Sequence, residues 1–225
     1  MDFQRTISEA THLQLQGLKI TIEVSLIAIV IGMIIGLLAC LMGMSKNPVL
    51  KGISAVYIWV IRGTPMLVQA FIIFFGIPQL VGLFVHGFRL DAFPASIITL
   101  SLNAGAYLAE VFRGGISAVP KGQSEAARSL GLSQGRTMRK VILPQAIKIA
   151  IPSMVNQFII TIKDSSILSV IGLADLMNKS KVYVGSSYQF FATYTMAAVY
   201  YLIIISVLMV VARRVERNLN YERKN

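Results

Sequence analysis

Cysteine and histidine are nearly absent from this 225-residue chain: Cys40 is the single thiol, and His12 and His86 are the two imidazoles. One thiol excludes an internal disulfide and any CxxC metal site, and Cys40 is expected to lie buried among its apolar neighbours. The two histidines stand too far apart for ligand spacing, so they read as surface or headgroup residues. No nucleophile–base pair for covalent catalysis appears, and no GxxxxGK[ST] phosphate loop occurs anywhere. The chain is therefore expected to be no enzyme, to hold no metal or cofactor, and to leave nucleotide hydrolysis to another polypeptide. Charge is scarce as well, at 14% of residues, with 10 acidic against 21 basic side chains. A nucleic-acid surface would interleave aromatics with that basic excess; no such face is found, so no nucleic-acid partner is expected. The opening stretch MDFQRTISEATHLQLQGLK lacks a short apolar core followed by a small-residue cleavage site. The first apolar run thus reads as a retained anchor.

What the chain does have is apolar length, since 55% of its residues are hydrophobic. Uncharged windows run Val24–Met44, Gly63–Phe88, Ala92–Ala109 and Val182–Ala212. A helix needs ~20 mainly apolar residues to cross a bilayer core, and these are long enough or nearly so. A fifth stretch, Ala150–Gly172, has the length but carries Lys163 and Asp164 near its middle. The pattern predicts an all-α membrane protein of five transmembrane helices in a single domain, residues 1–225 with a core at about 17–213. The spans are placed at about Gly17–Met44, from Lys51 to about Gly82, Phe93–Phe112, Ala150–Gly172 and Phe190–Ala212. A soluble bundle with long buried helices fits the uncharged run before Arg213 poorly.

Within the first span, Gly32 and Gly36 have the GxxxG spacing that lets helices approach closely. Within the second, Arg62-Gly63-Thr64-Pro65 predicts a kink or break, because proline removes a backbone donor. No internal repeat is found, and five spans do not divide into inverted halves, which disfavours many secondary-transporter architectures. Lysine and arginine favour the cytoplasmic side of short loops. With the N-terminus outside, fourteen of the twenty-one basic residues fall inside and five outside, with Arg62 and Lys163 within spans. That predicts N-terminus out and C-terminus in. The net charge of +11 then reads as topology and attraction to anionic membrane lipid.

The segment from Arg113 to Lys148 is too long for a turn and too polar for a span. It predicts a short helix over Ser124–Leu130, ended by Gly131 in a left-handed cap, and a second helix over Gln134–Leu143 capped by Ser133. Pro144 is expected to interrupt the chain before the next span. Ala126, Ala127 and Leu130 make a small knob flanked by Glu125 and Arg128. Such a knob fits a groove on another protein, and an amphipathic helix resting on lipid headgroups fits the composition equally well.

The run Glu125–Pro144, EAARSLGLSQGRTMRKVILP, follows the pattern EAA-x3-G-x9-hydrophobic-x-Leu-Pro. Glu125, Ala126, Ala127, Gly131, Val141, Leu143 and Pro144 resemble the cytoplasmic loop of permease subunits of ATP-binding-cassette importers, with valine at 141 where isoleucine is more usual. Four further segments resemble the branch that moves polar amino acids: Ile61–Pro65, Asn103–Glu110, Lys121–Gln123 and Ile162–Ser166. The resemblance implies a type I ABC importer transmembrane domain in a bacterial cytoplasmic membrane. It implies a second permease subunit, identical or a sibling, an ABC ATPase dimer that carries the ATP and Mg, and an extracytoplasmic solute-binding protein. It also implies that Glu125, Ala126, Ala127, Arg128, Leu130, Gly131 and Pro144 form the ATPase-coupling loop. A secondary, ion-coupled amino-acid transporter is the rival reading.

Ionisable residues inside spans are costly and usually face protein or water. Asn103, Tyr107 and Glu110 share one helical face in the third span, and Gln157, Thr161 and Asp164 repeat that spacing in the fourth, with Ser165 alongside. The two stripes are expected to line one substrate path, with Asp164 meeting a solute amino group and Asn103 offering donor and acceptor. The alternative is that they are interhelical bonds, with Glu110 paired to Arg113. Lys163 is expected to point away from Asp164. Arg62, Gly63, Thr64 and Pro65 are read as a helix break or gate, with Arg62 shaping the break or pairing with an acid across the dimer.

Overall fold

The computed structural model describes residues 3–224, which form eight helices: α1 (Phe3–Gly43), α2 (Pro48–Gly63), α3 (Met66–Gly82), α4 (Ala92–Ser117), α5 (Lys121–Ser129), α6 (Gln134–Ile171), α7 (Leu176–Ser187) and α8 (Phe190–Lys224). Four of them, α1, α4, α6 and α8, are each long and apolar enough to cross a membrane, and α2 with α3 make a fifth span if the pair is counted as one. The axes of α2 and α3 differ by 107° across Thr64-Pro65. The proline has no N–H to continue the ladder, so the predicted break is a sharp one.

Helix α1 begins well before the expected Gly17 and runs unbroken to Gly43. One face of its early turns is buried, at Ala10, Gln14 and Gly17, while His12, Gln16 and Lys19 are exposed. Gln14 is fully buried, and its Nε2 donates to Ser180 Oγ on α7 at 3.0 Å and to the Thr193 carbonyl on α8 at 2.9 Å. The N–H of Leu176, first residue of α7, donates to Thr21 Oγ1 at 3.1 Å. Further along, the GxxxG pair seats α1 on α4. A Cβ on Gly36 would lie 2.8 Å from the Gly105 carbonyl oxygen, and one on Gly105 would lie 2.9 Å from Ile35. The spacing therefore serves a crossing inside this chain.

Pro144 does not interrupt the chain: α6 continues through it from Gln134 to Ile171. A widened π turn over Met138–Ile142 precedes it, in which the Leu143 N–H reaches back to the Met138 carbonyl. The same device stands before Pro78, where a π turn over Ile72–Gly76 lets the Ile77 N–H bond the Ile72 carbonyl. A proline ring clashes with the carbonyl four residues back, and one extra residue in the turn relieves that clash without ending the helix. The far end of α6 tightens into a 3₁₀ turn over Ser165–Ile171 and stops at Gly172, whose φ of 89° is left-handed.

Val24 and Ala28 of α1, Ala70 and Ile73 of α3, Ala95 and Leu100 of α4, and Leu168 and Ile171 of α6 form one buried apolar cluster. One face of the half-helix beyond the break, at Gln69, Ala70 and Ile73, is thereby packed on the bundle, while Phe71, Ile72, Phe75 and Leu80 are exposed. Helix α8 also leaves Leu202, Ile203, Val207, Val210 and Val211 exposed, as a span facing lipid or another subunit does.

Helix α7 was not expected from sequence. Asp175 caps it, accepting the Asn178 N–H at 2.9 Å through Oδ1, while Oδ2 is buried with no partner. Burial pushes this carboxyl up to about 6 from an ordinary 3.8. The folded chain therefore holds a proton that the unfolded chain has released, and the contribution is present at about pH 4 and lost as pH rises through about 6. Asp175→Asn keeps the cap and removes the titration. Thermal stability of the purified protein is expected to fall between about pH 4.5 and 7 by more than that of D175N. Parallel profiles would contradict this.

Candidate functional site

The knob on the basic segment is built by α5 and its ending. Gly131 has a φ of 81°, its N–H donates to the Arg128 carbonyl at 2.9 Å, and the Leu132 N–H donates to the Ala127 carbonyl at 3.2 Å. That 6→1 and 5→2 pair is a Schellman ending with glycine at the left-handed position. Ala127 turns inward, whereas Glu125, Ala126, Arg128 and Leu130 face outward, Leu130 with 82% of its surface exposed. The knob is strapped to α6: Gln145 donates through Nε2 to Gln123 Oε1 at 3.3 Å and to the Val141 carbonyl at 2.9 Å. Beneath it Val119, Ile142 and Ala146 form a small core. Ser133 sits at the start of α6 but makes no side-chain cap. Pro144 is exposed on α6 just past the π turn.

The second feature is the break between α2 and α3. Thr64 is extended, and its Oγ1 donates to the Val60 carbonyl at 2.8 Å. Gly63 adjoins open space. Pro65 cannot donate to the Ile61 carbonyl four residues back. That carbonyl takes the side-chain amide of Gln69 instead, at 2.7 Å, and the same nitrogen reaches the Thr64 carbonyl at 3.0 Å and Thr64 Oγ1 at 2.9 Å. Gln69 was missed in sequence. The signal was there in the spacing 61, 65, 69, which sets an amide one turn beyond the proline whose missing donor it replaces.

The polar face of α4 meets this break at two places. Asn103, buried, donates to Gln69 Oε1 at 3.4 Å. Glu110 accepts from Arg62 at 2.5 Å and pairs also with Arg113, and the Arg62 guanidinium lies 5.2 Å from the centre of the Tyr107 ring. Arg62 thus finds an acid within its own chain. Tyr57 on α2 adds a third tie, donating to the Leu102 carbonyl at 2.7 Å.

The fourth-span stripe is placed differently. Gln157, Thr161 and Ser165 are buried on α6. Thr161 Oγ1 donates to the Gln157 carbonyl at 2.9 Å and Ser165 Oγ to that of Ile162 at 2.8 Å. Among the described residues no hydrogen bond joins this stripe to Asn103, Tyr107 or Glu110. The packing between α4 and α6 is apolar, with Ala104 and Leu108 against Met154 and Phe158. Asp164 is half-buried and Lys163 exposed beside it, with no ion pair between them within 4 Å. One stripe is fastened to the break through Asn103 and Glu110, and the other carries Asp164. Cys40 is buried.

The chain thus combines apolar spans, a broken helix fastened to a polar face, and an outward-facing knob on its basic segment. Comparison with known proteins gives the particular class. Residues 26–221 match the model of the binding-protein-dependent transport system inner membrane component, and the chain belongs to that family. It is 37% identical over 97% of both chains to an arginine transport system permease protein of Bacillus subtilis. It is 38% identical to a glutamine transport system permease protein of Escherichia coli, covering 93% of this chain and 94% of that one. Among solved structures it matches a crystal structure of an amino acid ABC transporter with histidines at a TM-score of 0.91, with 39% identity over 97% of this chain and 99% of that one. A methionine ABC transporter in an inward-facing form shares the fold at a TM-score of 0.77 and 20% identity, over 92% of this chain and 96% of that one. The fold is that of a type I ABC importer permease, and the chain is a multi-pass inner-membrane permease subunit of such a transporter, not a secondary transporter. Such subunits work with an ATPase and a binding protein.

Proposed function

We propose that this chain forms the translocation path of an ATP-driven importer for a polar amino acid. It inserts N-terminus out and C-terminus in, beside a second permease subunit, on an ABC ATPase dimer that carries ATP and Mg. The observation that carries the coupling part is the Schellman-ended knob: a rigid, exposed helix end strapped through Gln145 to α6, the helix that also bears Asp164. Amino-acid relatives at this identity support the substrate class.

Closure of the ATPase dimer pushes α5, and the strap passes that movement to α6 as a rigid unit. A state change requires contacts that differ between the states, and those between the knob and the ATPase groove are the natural candidates. Solute recognition is assigned to Asp164, for an amino group, and to Asn103, for a polar group. Tyr107, Glu110, Gln157, Thr161 and Ser165 shape the faces beside them. Arg62, Gly63, Thr64 and Pro65 form the gate at the break.

Purification of the complex from its native membrane tests the reading. The expected result is that an ABC ATPase and a second permease subunit accompany the chain, and that the cognate binding protein carries an amino acid. A chain that purifies without an ATPase under conditions that keep its fold would overturn it.

A further inference from the structure

Gln69 has no role in the transport scheme above, yet it makes more polar contacts than any other side chain at the break. Its two N–H donors are shared among the Ile61 carbonyl orphaned by Pro65 and both oxygens of Thr64. Its oxygen is left for one partner, Asn103, and that bond is long at 3.4 Å. Hydrogen bonds of this type weaken beyond about 3.2 Å, so the Gln69–Asn103 contact is the loosest in the set.

The surroundings show what loosening it would do. Asn103 and Glu110 lie on one face of α4, and the break is fastened to that face at both ends, through Gln69 at Asn103 and through Arg62 at Glu110. Ala70 and Ile73, next to Gln69 on α3, are buried in the central cluster. A shift of Gln69 therefore moves packed α3 rather than a loose loop, and packed elements respond by discrete steps.

We propose that Gln69 is a positioning residue that links solute engagement at Asn103 to the bend between α2 and α3. This rests on the reading of Asn103 as a solute contact. A solute group that takes the Asn103 amide competes for the long bond to Gln69. Once released, the Gln69 amide is free to reorient at the Ile61 and Thr64 carbonyls, so the bend samples a second arrangement. In the other direction, a bend that holds Gln69 in its four-contact state keeps Asn103 occupied until cargo arrives.

The assembled complex in proteoliposomes, with its ATPase and binding protein, provides the test. Gln69→Leu removes every polar contact, and Gln69→Glu removes the donor while keeping the shape. Both are expected to lower the stimulation of ATP hydrolysis by loaded binding protein by about fivefold or more, the size of a modest coupling between sites. Acidification is expected to restore part of the Q69E loss, since a protonated carboxyl regains one donor. A merely structural glutamine would instead reduce the amount of complex and leave its stimulation ratio unchanged. Normal stimulation in Q69L, at normal assembly, overturns the proposal. Asn103→Ala reports separately on the reading beneath it: an unchanged solute KM in N103A removes Asn103 from the path, whatever Gln69 does. If both readings hold, the double variant loses less than the two single losses combined, because the residues share one contact.

Discussion

Gly131→Glu is expected to lower ATP-driven uptake by tenfold or more, and it should do so without unfolding the membrane bundle. Gly131 occupies the left-handed region at a φ of 81°. A side chain there costs roughly 1–2 kcal/mol, and 1.4 kcal/mol already corresponds to about a tenfold shift in an equilibrium. Strain of that size loosens the Arg128 and Ala127 carbonyl bonds that end α5. The new carboxylate would also stand beside exposed Leu130, on the surface assigned to the ATPase. Either the ATPase is lost from the complex, or it hydrolyses ATP without uptake. Gly131→Asn is the control, since asparagine tolerates the left-handed region and should keep most activity. Measurement of uptake and hydrolysis on the same vesicles decides the matter. Full uptake by G131E with normal subunit association would remove the knob from the coupling path.

The second large effect is expected at Asp164. Asp164→Asn preserves size and removes the charge that a solute amino group would meet. Loss of one charge-assisted contact in a partly buried site commonly costs about 2 kcal/mol or more, some thirtyfold in affinity. Uptake of a cationic or zwitterionic cargo should fall accordingly, with a changed order of preference among competing amino acids. Because Lys163 makes no ion pair with Asp164 within 4 Å, the loss should not be traced to an orphaned lysine. Competition assays with the assembled transporter report both quantities. Unchanged rate and unchanged preference would remove Asp164 from the site.

Much of this architecture was legible because its physical causes are local. The long helices α1, α4 and α8 announced themselves by uncharged length, α6 by length despite Lys163 and Asp164, and the break at Thr64-Pro65 by the missing proline donor. Gly131 was legible because a helix followed by one glycine has few ways to end. What stayed hidden depended on tertiary contact. The first turns of α1 are polar in sequence, yet Gln14 and Thr21 are buried because α7 and α8 supply their partners. Helix α7 itself is short and serine-rich, and only Asp175 at its start hinted at it. Pro144 looked like a stop because the π turn that accommodates it leaves no mark in composition. The two polar stripes have matching periods, and periodicity alone carries no information on which neighbour each face meets. The partner that Asn103 takes, Gln69, lies on α3.

Transport by the purified chain, alone in liposomes and without nucleotide, bears most directly on the central claim that force comes from a partner through the α5 knob. No solute accumulation is expected until ATPase, binding protein and ATP are all supplied. Accumulation by the lone chain, driven by an ion gradient or by nothing but its own cargo gradient, would contradict it.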